Sequence, residues 1–292
     1  MPTIKKVFAI LRDPQRLVSL MNRYLSQIRL AVRNRLSSSP ITSDGGPVVC
    51  LTSYGRRVTI AYLPIESIAA GALLPSRLIL WIDDLNLISS LPSSLIRLQK
   101  RGLEIRSCPN YGPHKKYYSY VEAEESFVAP LVTADDDVFY PPYWLKRLSD
   151  AYESHPENVS CFWARRVGID SAQLSPFCEW PMCAGTKPSL ANQAIGASGI
   201  IYPPSFLKVL KREGSAFLTC CPSADDLWLH VQAVRAGFPV RQIGEHPLIL
   251  HSVPNSEKTS LWRRNAAGGN DAQARATYHR SDIALIRGEG MC

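Results

Sequence analysis

Three adjacent carboxylates, Asp135, Asp136 and Asp137, follow the apolar run 129–134 without a break. Like charges so close repel, and leaving them beside a sheet is costly unless a cation neutralises them. An all-oxygen ligand set selects a hard divalent ion. Mg²⁺ or Mn²⁺ is therefore expected, with open positions that bridge to phosphate. The plain alternative is an acidic turn capping the helix near Trp144, but a cap needs one carboxylate and not three. A second acidic pair, Asp225 and Asp226, lies in the stretch SADDLWL (223–229), with Ser223 placed as a helix N-cap. The helix dipole alone would favour one of these acids. The chemical role is a general base that accepts the proton of an attacking hydroxyl. In GPHKKYY (112–118), Lys115 or Lys116 opens a helix whose positive end suits phosphate, with His114 a weaker partner. A solvated basic turn is the alternative there.

Single positions add to these clusters. Tyr54 can stack on a base or simply pack. Arg56 and Arg57 can pair with phosphate or sit in solvent. Asp83 and Asp84 end an apolar run and can accept from a base or ribose, and His251 can supply a metal nitrogen. Trp163, Trp180 and Trp228 suit the core or the wall of an acceptor pocket.

These residues need elements to bring them together. Short apolar runs at 47–52, 77–82, 103–108 and 129–134 read as strands, and 58–72, 91–101 and 114–126 read as helices between them. Alternation at this spacing predicts a mostly parallel α/β sheet with helices on both faces. Ligands bind beyond the carboxyl ends of such strands, so Ser53–Tyr54, Asp83–Asp84 and Asp135–Asp137 are expected to share one crevice. Further on, 144–152 and 224–236 read as helices, while 159–167, 196–204, 240–243 and 248–251 read as strands. Residues 168–194 read as a long loop.

The chain has 292 residues and a net charge of +8, unevenly spread. Residues 1–46 carry eight basic and two acidic side chains, and the remaining 246 carry 25 and 23. The body is therefore near neutral and lacks an aromatic–basic stripe, so nucleic acid is not an expected partner. In the basic arm Ile4, Val7, Phe8 and Leu11, then Leu17, Met21, Tyr24, Leu25, Ile28 and Val32, fall on one helical face, with arginines mainly opposite. Such a helix suits an anionic membrane surface or packs on a protein, so residues 1–36 are a candidate for peripheral membrane contact. Residues 37–47 read as a linker. Eight cysteines in no metal-ligand spacing, no secretory signal and no long apolar run predict reduced thiols in a cytoplasmic protein, placed at the inner face of the membrane if the arm binds there.

The motifs LTSYGRR (51–57), RLILWIDD (77–84), GPHKKYY (112–118), LVTADDDVFYPPYWL (131–145), GASGIIYPP (196–204) and SADDLWL (223–229) together resemble a bacterial nucleotide-sugar-dependent glycosyltransferase of GT-A fold, of the family 2 type. The resemblance implies a metal-dependent, inverting transfer of a sugar from a nucleoside-diphosphate donor, a UDP-sugar above all, to a hydroxyl of a glycan or lipid-linked acceptor. It implies that Thr52, Ser53, Tyr54 and Arg57 line the donor site, that Asp84 or Asp83 bonds the nucleoside, and that Lys115 or Lys116 meets the diphosphate. Asp135 and Asp137 would be the outer members of a D-x-D pattern around Asp136. Asp137 would be the first metal ligand, with Asp135 reaching metal or ribose and His251 as a third ligand. Asp226 or Asp225 would be the base, and Gly199 would let backbone approach the donor sugar. The implied domains are the arm at 1–46, a transferase domain at 47–255 with nucleotide (47–137) and acceptor (138–255) halves, and a lid or tail at 256–292.

Two rival readings remain open. A nucleotidyltransferase acting on a sugar phosphate also pairs such a sheet with carboxylates and Mg²⁺, but usually has a glycine-rich basic loop after the first strand, where SYGRR has one glycine. The other is a non-catalytic adaptor that binds membrane or a partner through the arm.

Overall fold

Strand β1 (Val48–Thr52) is apolar along almost its whole length and buried on both faces, as a central parallel strand must be. A computed structural model describes residues 14–254, 256 and 269–289. In chain order the elements are α1 (Pro14–Leu36), β1, α2 (Tyr62–Ala69), β2 (Arg77–Ile82), α3 (Leu85–Ser89), α4 (Ser93–Gln99), β3 (Leu103–Ser107), α5 (Lys115–Ala123), β4 (Leu131–Ala134), β5 (Val138–Phe139) and α6 (Trp144–Ser154). Then follow β6 (Val159–Cys161), β7 (Ala164–Arg166), β8 (Ile169–Asp170), β9 (Gln173–Leu174), β10 (Asn192–Ala194), β11 (Ile200–Tyr202), α7 (Pro204–Glu213), α8 (Phe217–Cys220), α9 (Asp225–Ala236), β12 (Val240–Gln242), β13 (His251–Ser252), α10 (Asn270–Thr277) and α11 (Arg280–Glu289).

Seven strands form one sheet in the order β12-β6-β11-β4-β1-β2-β3. All are parallel except β11, which runs against both β4 and β6. The expected mostly parallel, Rossmann-type α/β class is therefore the fold, with helices on both faces and a helix ahead of the sheet. Alternate residues of β1 feed two cores. Val48 and Cys50 join a core closed by α5, α7, α9, α10 and α11, while Val49 and Leu51 join one closed by α2, α4 and α6.

Several elements differ from the sequence expectation. The helix expected over 58–72 shortens to α2, preceded by a 3-10 turn at Gly55–Thr59. Pro64 has no N–H to give and is accommodated only in a first turn. The strand expected over 159–167 splits, β6 joining the main sheet and β7 pairing with β10. The strand expected over 196–204 contracts to β11 because Gly196–Ser198 forms a 3-10 turn. Inside the long loop expected at 168–194 lie the β8–β9 hairpin, turning through Ser171 and Ala172 at positive φ, and β10. The strand expected at 248–251 is instead His251–Ser252, paired with β5.

The arm is not free. Leu30 packs with Leu63 and Val253. Arg33 pairs with the buried Glu66 at 3.2 Å, and Asn34 Nδ2 donates to Glu66 Oε1 at 3.0 Å. The linker is fastened through the buried Ile41, whose N–H donates to Arg101 O. Residues 1–13, with Ile4, Val7, Phe8 and Leu11, lie outside the described residues, as do 257–268. The described part of the expected lid or tail is two helices packed on α9. Tyr278 and Ile286 are buried, and Arg235 pairs with Asp282 at 2.9 Å.

Candidate functional site

The strand order runs from β1 outward through β2 to β3, then resumes on the other side with β4. Connections therefore leave β1 and β4 in opposite directions and open a crevice beyond their carboxyl ends. The acids 135–137 enter it directly from β4. On the β1 side, Thr52 Oγ1 donates to Trp81 O at 3.1 Å and holds the strand end against β2. Ser53 Oγ donates to Asp136 Oδ2 in a short hydrogen bond. The 3-10 turn after Tyr54 carries Arg57, whose Nη2 contacts Asp136 Oδ1 and lies 2.6 Å from Asp137 Oδ2. The Arg57 guanidinium lies 5.5 Å from the Tyr54 ring centroid, and Lys115 Nζ lies 6.0 Å from it on the same tyrosine.

The register of the three acids follows from their exposure. The Asp136 side chain is 5% exposed and turned inward to Ser53 and Arg57, whereas Asp135 and Asp137 keep 29% and 19%. The outer two are the carboxylates an incoming ligand can reach. Burial pushes Asp136 up to about 7, with Arg57 and Ser53 opposing and the flanking acids adding. Burial and Asp135 push Asp137 up to about 6 against Arg57. Tyr140 steadies the segment: its hydroxyl accepts from Asp135 N at 2.6 Å and donates to Asp135 O at 3.2 Å.

Helices α5 and α9 supply the opposite wall. Both lysines of GPHKKYY are buried, so the solvated-turn alternative fails. Lys115 Nζ lies 2.7 Å from Asp83 Oδ2. Lys116 Nζ lies 3.3 Å from Asp135 Oδ1 and 3.1 Å from Asp225 Oδ2, linking the two acidic segments. Burial works against the charge on Lys116, but Asp135, Asp225 and Asp226 outweigh it and hold its pKa well above the usual lysine range. Helix α9 begins at Asp225 behind Ala224, which offers no side-chain cap, so Ser223 is not the N-cap. Two acids in an uncapped first turn complement the positive end of the dipole. Asp226 Oδ2 accepts from Gly196 N at 2.9 Å, and its Oδ1 is buried with no hydrogen-bond partner among the described residues. Burial, reinforced by Asp225 and opposed by Lys116, pushes Asp226 up to about 7.

Not every expected residue joins this group. Asp84 is exposed and caps α3, accepting from Asn86 N at 2.9 Å. Of the two acids ending β2, it is Asp83 that meets a site lysine. His114 is buried, stacked on Phe217 at 3.9 Å and bonded to Cys221 O, and burial lowers its pKa to about 4. Gly199 sits at φ +100 with its α-carbon against the Trp144 indole, where a Cβ would lie 2.7 Å from the ring. Its missing side chain makes room for a core tryptophan. His251 is exposed on β13 opposite Phe139. Among the described residues no three His, Cys, Asp or Glu side chains are grouped to hold a metal ion, so Asp135, Asp137 and His251 do not form such a set.

Two positions that contact the candidate site residues escape sequence reasoning. Gly196 faces the site: a Cβ there would lie 2.8 Å from Asp226 Oδ1 and 3.0 Å from Lys116 Nζ. Its signal was its place in GASG, where Gly199 was the residue singled out. Tyr140 had no signal beyond its position three residues past the acids.

No protein-family model matches the chain, and no curated protein matches it. Solved structures with a similar backbone include residues 1–349 of S. aureus TarS, at 15% identity and a TM-score of 0.47, covering 85% of this chain and 71% of that one. Another is CMP:2-keto-3-deoxy-manno-octonic acid synthetase in complex with CTP, at 12% identity and 0.43, covering 78% and 99%. No described helix is long and apolar enough to cross a membrane.

Proposed function

We propose that the protein is a glycosyltransferase that moves a sugar from a nucleoside-diphosphate donor to an acceptor hydroxyl, with Asp226 as the general base. The observation that carries this reading is the pairing of two acidic segments across Lys116, one at the end of β4 and one at the start of α9. Three parts of the reaction need such an arrangement: a place for the diphosphate, a cation to balance it, and a base on the far wall. Asp226 has a raised pKa, a carboxylate oxygen without a hydrogen-bond partner among the described residues and an orientation fixed by Gly196 N. It can take the acceptor proton as the hydroxyl attacks the sugar carbon opposite the leaving group, which corresponds to inversion. Asp225 is tied to Lys116 and holds that lysine in place.

The site also suits a divalent ion. Six carboxylates (Asp83, Asp135, Asp136, Asp137, Asp225 and Asp226) face three cations (Arg57, Lys115 and Lys116), an excess of three negative charges once all six are ionised, and the upward shifts of Asp136, Asp137 and Asp226 reflect burial together with that surplus. Oxygen donors with surplus charge are the donor set for Mg²⁺ or Mn²⁺. Asp135 and Asp137, the exposed pair, would hold the ion, and its chemistry would be to neutralise the charge that builds on the departing diphosphate. Tyr54, whose ring contacts Arg57 and Lys115, would lie beside the nucleoside.

The test is a thermal-shift screen of nucleotide sugars with and without Mn²⁺, followed by product analysis. A UDP-sugar that raises the melting temperature only with Mn²⁺, and whose turnover releases UDP, supports the reading. Release of pyrophosphate from a nucleoside triphosphate and a sugar phosphate would replace it with a nucleotidyltransferase.

A further inference from the structure

Helix α1 is mounted with its apolar face outward. Val18, Met21, Leu25, Ile28, Val32 and Leu36 are all exposed, Leu25 at 59% and Ile28 at 60%. At 100° per residue these six fall within an arc of about 80°. The side turned to the body holds Leu30, Arg23, Arg33 and Asn34. Arg23 Nε donates to Ser252 O at 2.9 Å, and Arg33 pairs with Glu66. This inverts the usual economy of a surface helix, whose apolar stripe faces the core. A contiguous apolar patch of this kind marks an interaction surface.

We propose that this face of α1 lies on an anionic lipid surface. The argument is charge complementarity. The stripe is bordered by the exposed Arg29 and Arg35, the helix contains five arginines and no acidic residue, and residues 1–36 carry eight basic side chains against Asp13 alone. Apolar side chains in the acyl boundary with arginines at headgroup level is the arrangement of an interfacial helix. A second copy of the chain suits this face less. A two-fold interface sets a patch against itself, and no acid on α1 answers the arginines of a facing α1. The helix is also moored beside the candidate site. Ser252 holds Arg23, and the next residue, Val253, donates its N–H to Asp137 O at 2.7 Å. Docking of α1 would therefore fix the crevice near the bilayer surface. The docking itself does not depend on the proposed reaction.

The experiment is co-sedimentation of the full chain with vesicles of phosphatidylglycerol and phosphatidylethanolamine, against vesicles of phosphatidylcholine alone, together with light scattering for oligomeric state. The full chain should sediment with the anionic vesicles and not with the neutral ones. Leu25→Glu/Ile28→Glu should lower the bound fraction by about tenfold or more while its melting temperature stays unchanged, since both side chains are exposed. Arg29→Glu/Arg35→Glu should weaken binding too. Unchanged vesicle binding by the Leu25/Ile28 variant would overturn the proposal. So would a wild-type dimer that ignores vesicles and that the same variant splits into monomers.

Discussion

Lys116 Nζ lies 3.1 Å from Asp225 Oδ2, and this one contact ties the helix after β3 to the helix before β12. The same ammonium reaches Asp135 at 3.3 Å, so it is the cation between the two acidic walls of the crevice. Removing its charge while keeping its length, Lys116→Met, leaves buried carboxylates uncompensated. Breaking a buried pair in this way costs about 3–5 kcal/mol. The loss should be larger at pH 8 than at pH 5, because Asp226, which also acts on Lys116, ionises near 7, and thermal melts at the two pH values measure it. An equal loss at both would show that Lys116 does not balance the charge of Asp226.

The three adjacent acids should separate by function. Asp135→Ala and Asp137→Ala should abolish the Mn²⁺-dependent thermal shift with a nucleotide sugar. Asp136→Ala loses the Ser53 hydrogen bond and one Arg57 contact, and should instead lower stability by about 1–3 kcal/mol. Denaturant titration of the three variants, beside their Mn²⁺ shifts, distinguishes the roles. A middle acid that carries the metal response would reverse the assignment.

Turnover should rise with pH through a midpoint near 7, because a base works only when ionised and burial with Asp225 pushes Asp226 up to about 7. Asp226→Asn should keep donor binding and lose transfer at every pH. Stability moves the other way. The folded protein holds this proton more tightly than the unfolded chain, whose aspartates titrate near ~3.9. The contribution of Asp226 is therefore fully favourable below that value and is lost as pH rises through about 7. The Asn variant should show a shallower fall in melting temperature between pH 5 and 8. A wild-type slope in that variant would assign the titration to another group.

Two glycines three residues apart should respond oppositely to alanine. At Gly196 the new methyl meets the ends of two flexible side chains, Asp226 Oδ1 and Lys116 Nζ. They can shift at little cost to stability, but the shift displaces the base, so Gly196→Ala should lower kcat with a nearly unchanged melting temperature. At Gly199 the methyl meets the rigid Trp144 indole from a backbone at φ +100, which side chains rarely adopt. Overpacking alone costs about 1–3 kcal/mol there, and Gly199→Ala should be recovered in low yield. Melting temperatures and initial rates of the two variants decide it.

The local features of the chain were legible because they depend on near neighbours. Four apolar runs separated by helical stretches announced β1 to β4, and the acids after Ala134 could only emerge at a strand end. Helices α3, α7, α8, α10 and α11 carry no such signal. The apolar run 196–204 places Pro203–Pro204 at the end of a strand, yet Pro204 opens α7, and proline at a helix start is favoured. In α10 the run NDAQARAT has little apolar content, and it is held by the burial of Ala274 and Thr277 against the body. Gly199 was singled out in place of Gly196 because composition cannot tell which of two nearby glycines faces a tryptophan and which faces a carboxylate.

By itself the sequence determined the α/β class, the excess of acid at the strand ends and the period of the amphipathic helix α1. These follow from residue type and spacing, which act over a few residues. The tertiary structure decided which carboxylate turns inward, which lysine bridges the crevice and which face of α1 meets the body. A buried charge must find its opposite, and the partners Glu66 for Arg33, Arg57 for Asp136 and Lys116 for Asp225 come from distant segments that only the folded chain brings within reach.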